Sequence, residues 1–166
     1  MRQPTVRRTW APHGKTPIHA SWDRHDRLSV TGALTVSPRQ KRLGLDFSVA
    51  SANITGDDVF TFVQRLPRHR KRPLLVIWDR CSGHRKAARR LRDLYGARIH
   101  VEFLPAYAPE LNVVEPCWSH TKYGAMANFI PQDVEALADE VARSLIAQHR
   151  RQDLLYAFFQ HARLDL

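Results

Sequence analysis

The sequence predicts an α/β domain whose mixed sheet is flanked by helices, and three observations carry that expectation. Two stretches alternating apolar and polar residues follow one another, at 28–36 and 43–49. A continuous apolar run, Leu74 to Trp78, is followed by an amphipathic helical stretch and another alternating strand. The chain of 166 residues is one domain by length, enough to bury a core without disulfide staples.

The opening stretch, Met1 to Asp26, is rich in Arg, Pro and His and has no clear period. It is expected as loop with at most a short extended piece. Leu28, Val30, Leu34 and Val36 then alternate with Ser29, Thr31, Ala33 and Thr35. A polar turn at Ser37 to Arg42 leads into Leu43, Leu45, Phe47 and Val49, so the two strands are expected as an antiparallel hairpin. Val59, Phe62, Val63 and Leu66 fall at i, i+3, i+4 and i+7, the stripe of a helix. Thr55 is its expected N-cap, with Asp57 and Asp58 at the positive end of the helix dipole. The basic run Arg68 to Arg72 is expected as a solvated loop.

Leu74 to Trp78 has no alternation, which predicts a strand covered on both faces. A helix from Ser82 to Tyr95 should follow, with Ala87, Leu91 and Leu94 turned inward and Gly96 ending it. Ile99, Val101 and Phe103 predict the next strand. A helix beginning near Asn112 comes next. A further helix has Val134, Leu137, Ala138, Val141 and Leu145 on one face, with Pro131 near its start. Leu154 to Phe159 predicts a last short helix. The strand–helix–strand unit from Leu74 to Leu104 should be parallel with a right-handed crossover, so both strands end on one edge. In open α/β sheets that edge binds ligands.

Composition narrows the partners. There are 26 Lys and Arg against 16 Asp and Glu, a formal net charge of +10. Such an excess favours a polyanion, most simply nucleic acid. The two cysteines, Cys81 and Cys117, make no disulfide framework and fit a reducing compartment. No apolar run reaches the length of a membrane span and no signal peptide opens the chain, so a cytoplasmic, nucleoid-associated protein is expected.

Asp79 sits at the carboxyl end of its strand, and Glu115 in the first turn of the helix returning from the neighbouring strand. Converging carboxylates make an oxygen-rich site suited to Mg²⁺ or Mn²⁺. A plainer assignment is open for each. An Asp after a strand often orders only the next turn, and Asn112 with Glu115 has the spacing of a capping box.

The segment LLVIWDRCSGH (Leu74 to His84), followed by FLPAYAPELNVVEPCWSHTK (Phe103 to Lys122), resembles the DDE-type transposases of the mariner-like insertion-sequence superfamily. In that family the second catalytic Asp ends an apolar strand and is followed closely by His. The final acid lies in a pattern matched here by Leu104, Pro105, Tyr107, Pro109, Leu111, Asn112, Glu115, Trp118 and Lys122. RRTWAPHGKTP (Arg7 to Pro17) also resembles the family segment that follows its first catalytic strand. The resemblance implies a ribonuclease-H-like fold. It implies Asp79 and Glu115 as catalytic residues and metal ligands, and Mg²⁺ or Mn²⁺ as cofactor. The implied activity is cleavage at transposon ends and their joining to target DNA. Arg80 and Cys81 after the Asp, and Val113 where Pro is common, depart modestly from the pattern. The family's first catalytic Asp, on the central first strand of its sheet, would fall before Met1. The expectation is therefore a single partial catalytic domain over residues 1–166, lacking that strand and the amino-terminal DNA-binding region. Asp23, Asp26 and Asp46 do not match the first acid's position.

Other residues fill in the DNA side. Arg85, Arg89 and Arg92 recur at i, i+4 and i+7 as a basic stripe. With Lys86, Lys122 and His84 they are the candidate DNA contacts, against the alternative of a helix face kept soluble. Cys81 and His84, with Cys117 and His120, form two Cys-x-x-His pairs, but not at the spacing of a familiar zinc finger. Tyr107 and Trp118 are expected to pack rather than stack on bases. The expected partners are transposon-end and target DNA, an upstream transposase fragment supplying the missing acid, and a second copy of the chain. Whether the chain is an enzyme turns on that acid. The competing class is a catalytically inactive remnant acting as a basic DNA-binding module.

Overall fold

In the computed structural model the described residues are 7, 8, 10–15, 28–37, 39, 42–66 and 73–166. The expected loop up to Asp26 and the basic run at Arg68 to Arg72 fall largely or wholly outside them. The elements are β1 (Ser29–Val36), β2 (Leu43–Ala50), α1 (Gly56–Arg65), β3 (Leu74–Trp78), α2 (Ser82–Tyr95), β4 (Ile99–Phe103), α3 (Glu115–His120), α4 (Val134–His149) and α5 (Gln152–His161). This mixed α/β order is compatible with the ribonuclease-H-like fold.

β1 and β2 form the expected antiparallel hairpin, with Ser29 opposite Ala50 and Val36 opposite Leu43. β3 and β4 pair in parallel, Leu74 beside Ile99 and Trp78 beside Phe103. Among the described residues these are two separate sheets of two strands each.

Each sheet has its own core. Leu43 and Leu45 of β2 are buried with Cys117 of α3, Val141 and Leu145 of α4, and Leu155, Phe158 and Phe159 of α5. The other core joins Val59, Phe60 and Val63 of α1 and Ala87, Ala88 and Leu91 of α2 to Trp78, Ile99 and Val101. α1 begins as its sequence predicts. The Thr55 hydroxyl accepts from the Asp58 N–H, and the Asp58 carboxylate accepts from the Thr55 N–H at 2.8 Å.

Two burial expectations need correction. Leu75 and Ile77 are more than half exposed, so β3 is covered on one face and not on both. Both α1 and α2 pack on the face of Leu74, Val76 and Trp78, and Leu75 and Ile77 stand opposite His100 and Glu102 on the other. Leu94 is also exposed, and Ala88 takes the inward place on α2 beside Ala87 and Leu91. A 3.6-residue period carries Leu94 past the narrow strip that α1 and the strands cover.

The edge of β2 away from β1 is closed by side chains. Leu43 N–H donates to Gln152 Oε1 at 3.0 Å, and Gln152 Nε2 donates to Leu43 O at 2.9 Å. The amide thus replaces a neighbouring strand for one residue, and His149 Nδ1 stands 2.9 Å from Leu45 O. Such cover blocks edge-to-edge pairing.

α3 is fixed from two sides. A Cβ added to Gly32 of β1 would stand 2.6 Å from Trp118 Cη2, so only glycine lets this ring lie on the strand. Past α3 the chain makes one π-helical turn, Thr121–Ala125, whose Thr121 hydroxyl accepts from Gln148 Nε2 at 2.7 Å and Ser144 Oγ at 3.1 Å. All three residues are buried, which locks α3 against α4.

Replacing the edge-covering amide tests this packing. Gln152→Leu leaves both Leu43 peptide groups without their partner and should lower stability by about 1–3 kcal/mol in urea unfolding. An unchanged midpoint would show that the amide is dispensable.

Candidate active site

The carboxyl ends of β3 and β4 are tied together beyond the last strand residues. Leu104 N–H donates to Trp78 O at 2.9 Å, and Arg80 Nε donates to Leu104 O at 3.0 Å. Asp79 emerges between these two bonds. Its Oδ1 accepts from Cys81 N–H at 2.9 Å and lies 2.6 Å from His84 Nδ1. The His84 ring is stacked on Trp78, with centroids 4.7 Å apart and planes 4° from parallel. Cys81 Sγ accepts from His84 N–H at 3.4 Å and caps α2. The Asp79 carboxylate therefore has its orientation set by a backbone N–H and by a ring that is itself clamped. Asp79 does order the next turn, as the plainer assignment held, yet half of its side chain stays open to solvent.

Glu115 is the first residue of α3, and its N–H donates to Asn112 O at 2.9 Å. The capping box suggested by the spacing does not form. Asn112 Oδ1 accepts from Val114 N–H at 3.3 Å, and the cap position belongs to Val114. The Glu115 carboxylate is thus spared from capping.

Of the two acids, Glu115 feels the charge of Asp79. Burial pushes the Glu115 carboxyl up, and the charge of Asp79 pushes it the same way. Burial also works to raise Asp79, but the Cys81 N–H and His84 outweigh it and hold that carboxyl below its usual value. Asp79 is therefore the firmly ionised member, and Glu115 carries the repulsion. Two carboxylates in this relation suit a hard divalent cation, which supplies oxygen-seeking positive charge where like charges meet. Glu115 also lines an open groove of ≈ 390 Å³ with Pro109, Glu110, Pro116, Ser119 and His161.

The basic candidates divide. Arg85, Arg89 and Arg92 are exposed and form no ion pair with a described residue. Lys86 instead bonds Asp57 of α1 at 2.9 Å, and Arg90 bonds the same carboxylate while lying over the Phe60 ring. Lys122 Nζ lies 5.2 Å from the Tyr123 ring centre. His84 faces Asp79.

Trp118 packs as expected, whereas Tyr107 does not. Tyr107 is fully exposed, at φ 59° in the turn from β4 toward α3. A left-handed residue at that reversal faces solvent instead of following the apolar face of β4. Cys117 is fully buried, which pushes its thiol up to about 12 and keeps its sulfur away from solvent. Among the described residues the two Cys-x-x-His pairs do not assemble into one four-ligand group. Asp46 lines a separate cleft of ≈ 410 Å³ between β2 and α1, and Asp23 and Asp26 lie outside the described residues.

Three participants were not foreseen from sequence. The Trp78 stack on His84 and the Arg80 tie to Leu104 depend on the turn after β3, which no periodicity describes. His161 reaches the Glu115 groove from α5, far along the chain and without any local signal.

Comparison with known proteins bears on this geometry. Searches among curated proteins and among solved structures returned no match. No described helix is long and apolar enough to cross a membrane. The family model described as DDE superfamily endonuclease matches residues 2–138, a span holding Asp79, Glu115 and the four described strands. The chain belongs to the DDE superfamily endonuclease family.

Proposed function

We propose that this chain is the carboxyl-terminal part of a transposase catalytic domain, with Asp79 and Glu115 as two acidic arms of a metal-dependent phosphoryl-transfer centre. The observation that supports it most is that the charge of Asp79, just past the end of β3, reaches Glu115 and helps burial to raise its carboxyl. Asp79 and Glu115 would hold Mg²⁺ or Mn²⁺, which when bound activates an attacking oxygen and stabilises the leaving one in phosphodiester chemistry. His84 keeps the Asp79 carboxylate aimed and ionised. The exposed Arg85, Arg89 and Arg92 track DNA phosphates running past the site, with Lys86 and Lys122 at its margins. The family name itself points to a DNA endonuclease or transposase, and cutting and joining of transposon ends is the specific form proposed.

A second reading has its own observation. Among the described residues no third acid is among the charges that shift Asp79 or Glu115. On this reading a site with only these two acids binds DNA without cutting it, and a polypeptide carrying the third would restore cleavage.

Combined with such an upstream segment, the protein should cleave transposon-end DNA with Mg²⁺ and stop on chelation. Asp79→Ala or Glu115→Ala should reduce cleavage to background, and equal cleavage by either variant contradicts the assignment.

A carboxyl raised in the folded chain holds its proton more tightly there than in the unfolded chain. Stability contributed by that group is therefore lost as pH rises from the unfolded toward the folded value. Glu115→Gln should raise Tm at neutral pH, with the gain vanishing below about pH 4, where the carboxyl is protonated in both states. Mg²⁺ should raise the Tm of the parent more than that of the variant. A variant with unchanged Tm at every pH would remove the like-charge contact.

DNA affinity should fall linearly with salt concentration when both are plotted as logarithms. Replacing Arg85, Arg89 and Arg92 together by Ala should flatten that slope by roughly 0.9 for each phosphate the protein ceases to neutralise. An unaltered slope would place the DNA on another face.

A further inference from the structure

The turn between β3 and α2 gathers donors that a magnesium centre does not call for. Asp79, Cys81 and His84 each bring one ligand atom to a place where all three lie within 4.8 Å of one another. They are a carboxylate oxygen, a sulfur and an imidazole nitrogen, all from one short stretch of chain. Backbone hydrogen bonds alone do not account for this. The Asp79 bond to Cys81 N–H and the Cys81 bond to His84 N–H order the turn, but neither requires the imidazole to swing back onto Asp79. The stack on Trp78 and the 2.6 Å hydrogen bond between His84 Nδ1 and Asp79 Oδ1 hold it there.

We infer that Asp79, Cys81 and His84 form a binding site for a thiophilic divalent cation of the Zn²⁺ or Co²⁺ type. Three protein ligands of mixed O, S and N character suit a four-coordinate ion with one open position. That position faces solvent, because Cys81 is exposed and half of the Asp79 side chain is open. Short sequence separation favours this ion further, since the three ligands ride on one capped turn and need little ordering on binding. On entry the ion takes the thiolate, and the thiol proton leaves to solvent. The hard acids of the proposed nuclease centre do not enter this site apart from Asp79, so the inference stands whether or not DNA is cut. Where Asp79 also serves a magnesium centre, the two kinds of ion exclude one another at its carboxylate.

The test uses the reduced full chain and CoCl₂ in a buffer that does not chelate. Cobalt should develop the visible bands of a tetrahedral ion together with a thiolate-to-cobalt charge-transfer band in the near ultraviolet, and one equivalent of Zn²⁺ should bleach both. Cys81→Ser should abolish the charge-transfer band and weaken binding at least about tenfold, a loss in the range seen when metal-site partners are removed. Cys117→Ser should keep the parent spectrum, and far-ultraviolet dichroism should confirm that both variants are folded. Absence of a charge-transfer band in the parent at saturating cobalt overturns the inference. So does a band that survives Cys81→Ser, which would put the sulfur ligand elsewhere.

Discussion

The anchoring of the Asp79 carboxylate at the end of β3 is the constraint on which the proposed site depends. The charge of Asp79 adds to burial at Glu115, and the two carboxyls shift in opposite directions. Asp79 receives a backbone N–H and a clamped imidazole, so it stays ionised, while Glu115 carries the rise in its carboxyl. Parallel pairing of β3 with β4 sets where the first acid emerges, and the bonds from Arg80 and Leu104 keep those strand ends together. The second acid depends on α3. That helix is pinned by Trp118 on Gly32 and by the buried Thr121, Ser144 and Gln148 bonds.

The two proposed acids come from different cores. The β3–β4 unit with α1 and α2 carries Asp79 and the basic stripe, whereas the hairpin with α3, α4 and α5 carries Glu115 and its groove. The protein closes one sheet edge with a side chain, placing the Gln152 amide on the Leu43 peptide. The exposed Leu75 and Ile77 show that the β3–β4 face away from α1 and α2 is left open among the described residues.

Much of this was legible in the residues before any coordinates. Alternation located β1, β2 and β4, the Thr55 capping signal began α1, and Gly96 ended α2 because its backbone sits at φ 52°. Asp79 just past a strand end and Glu115 at a helix start lie where the sequence put them, and a family motif, not their spacing, singled them out. What failed was burial and turn geometry. An unbroken apolar run says that residues can be buried, not that helices exist to cover both faces, and Leu75 and Ile77 are the result. Asn112 and Glu115 had capping spacing, yet the cap fell at Val114, since the 3₁₀ turn of Pro109–Leu111 shifts the helix start. Tyr107 looked like a packing residue by type, and only its left-handed backbone reveals that it points outward. The Asp79, Cys81 and His84 cluster was visible only in part: the residues showed Cys81 and His84 as a Cys-x-x-His pair, but not that the turn would bring Asp79 to them.

Paramagnetic broadening by Mn²⁺ in amide-resolved NMR spectra tests the central claim most directly. Substoichiometric Mn²⁺ should erase the amide signals around both Asp79 and Glu115 together, and Asp79→Ala should restore those around Glu115. Broadening confined to one of the two acids, or centred on another part of the surface, would contradict a shared divalent-metal site.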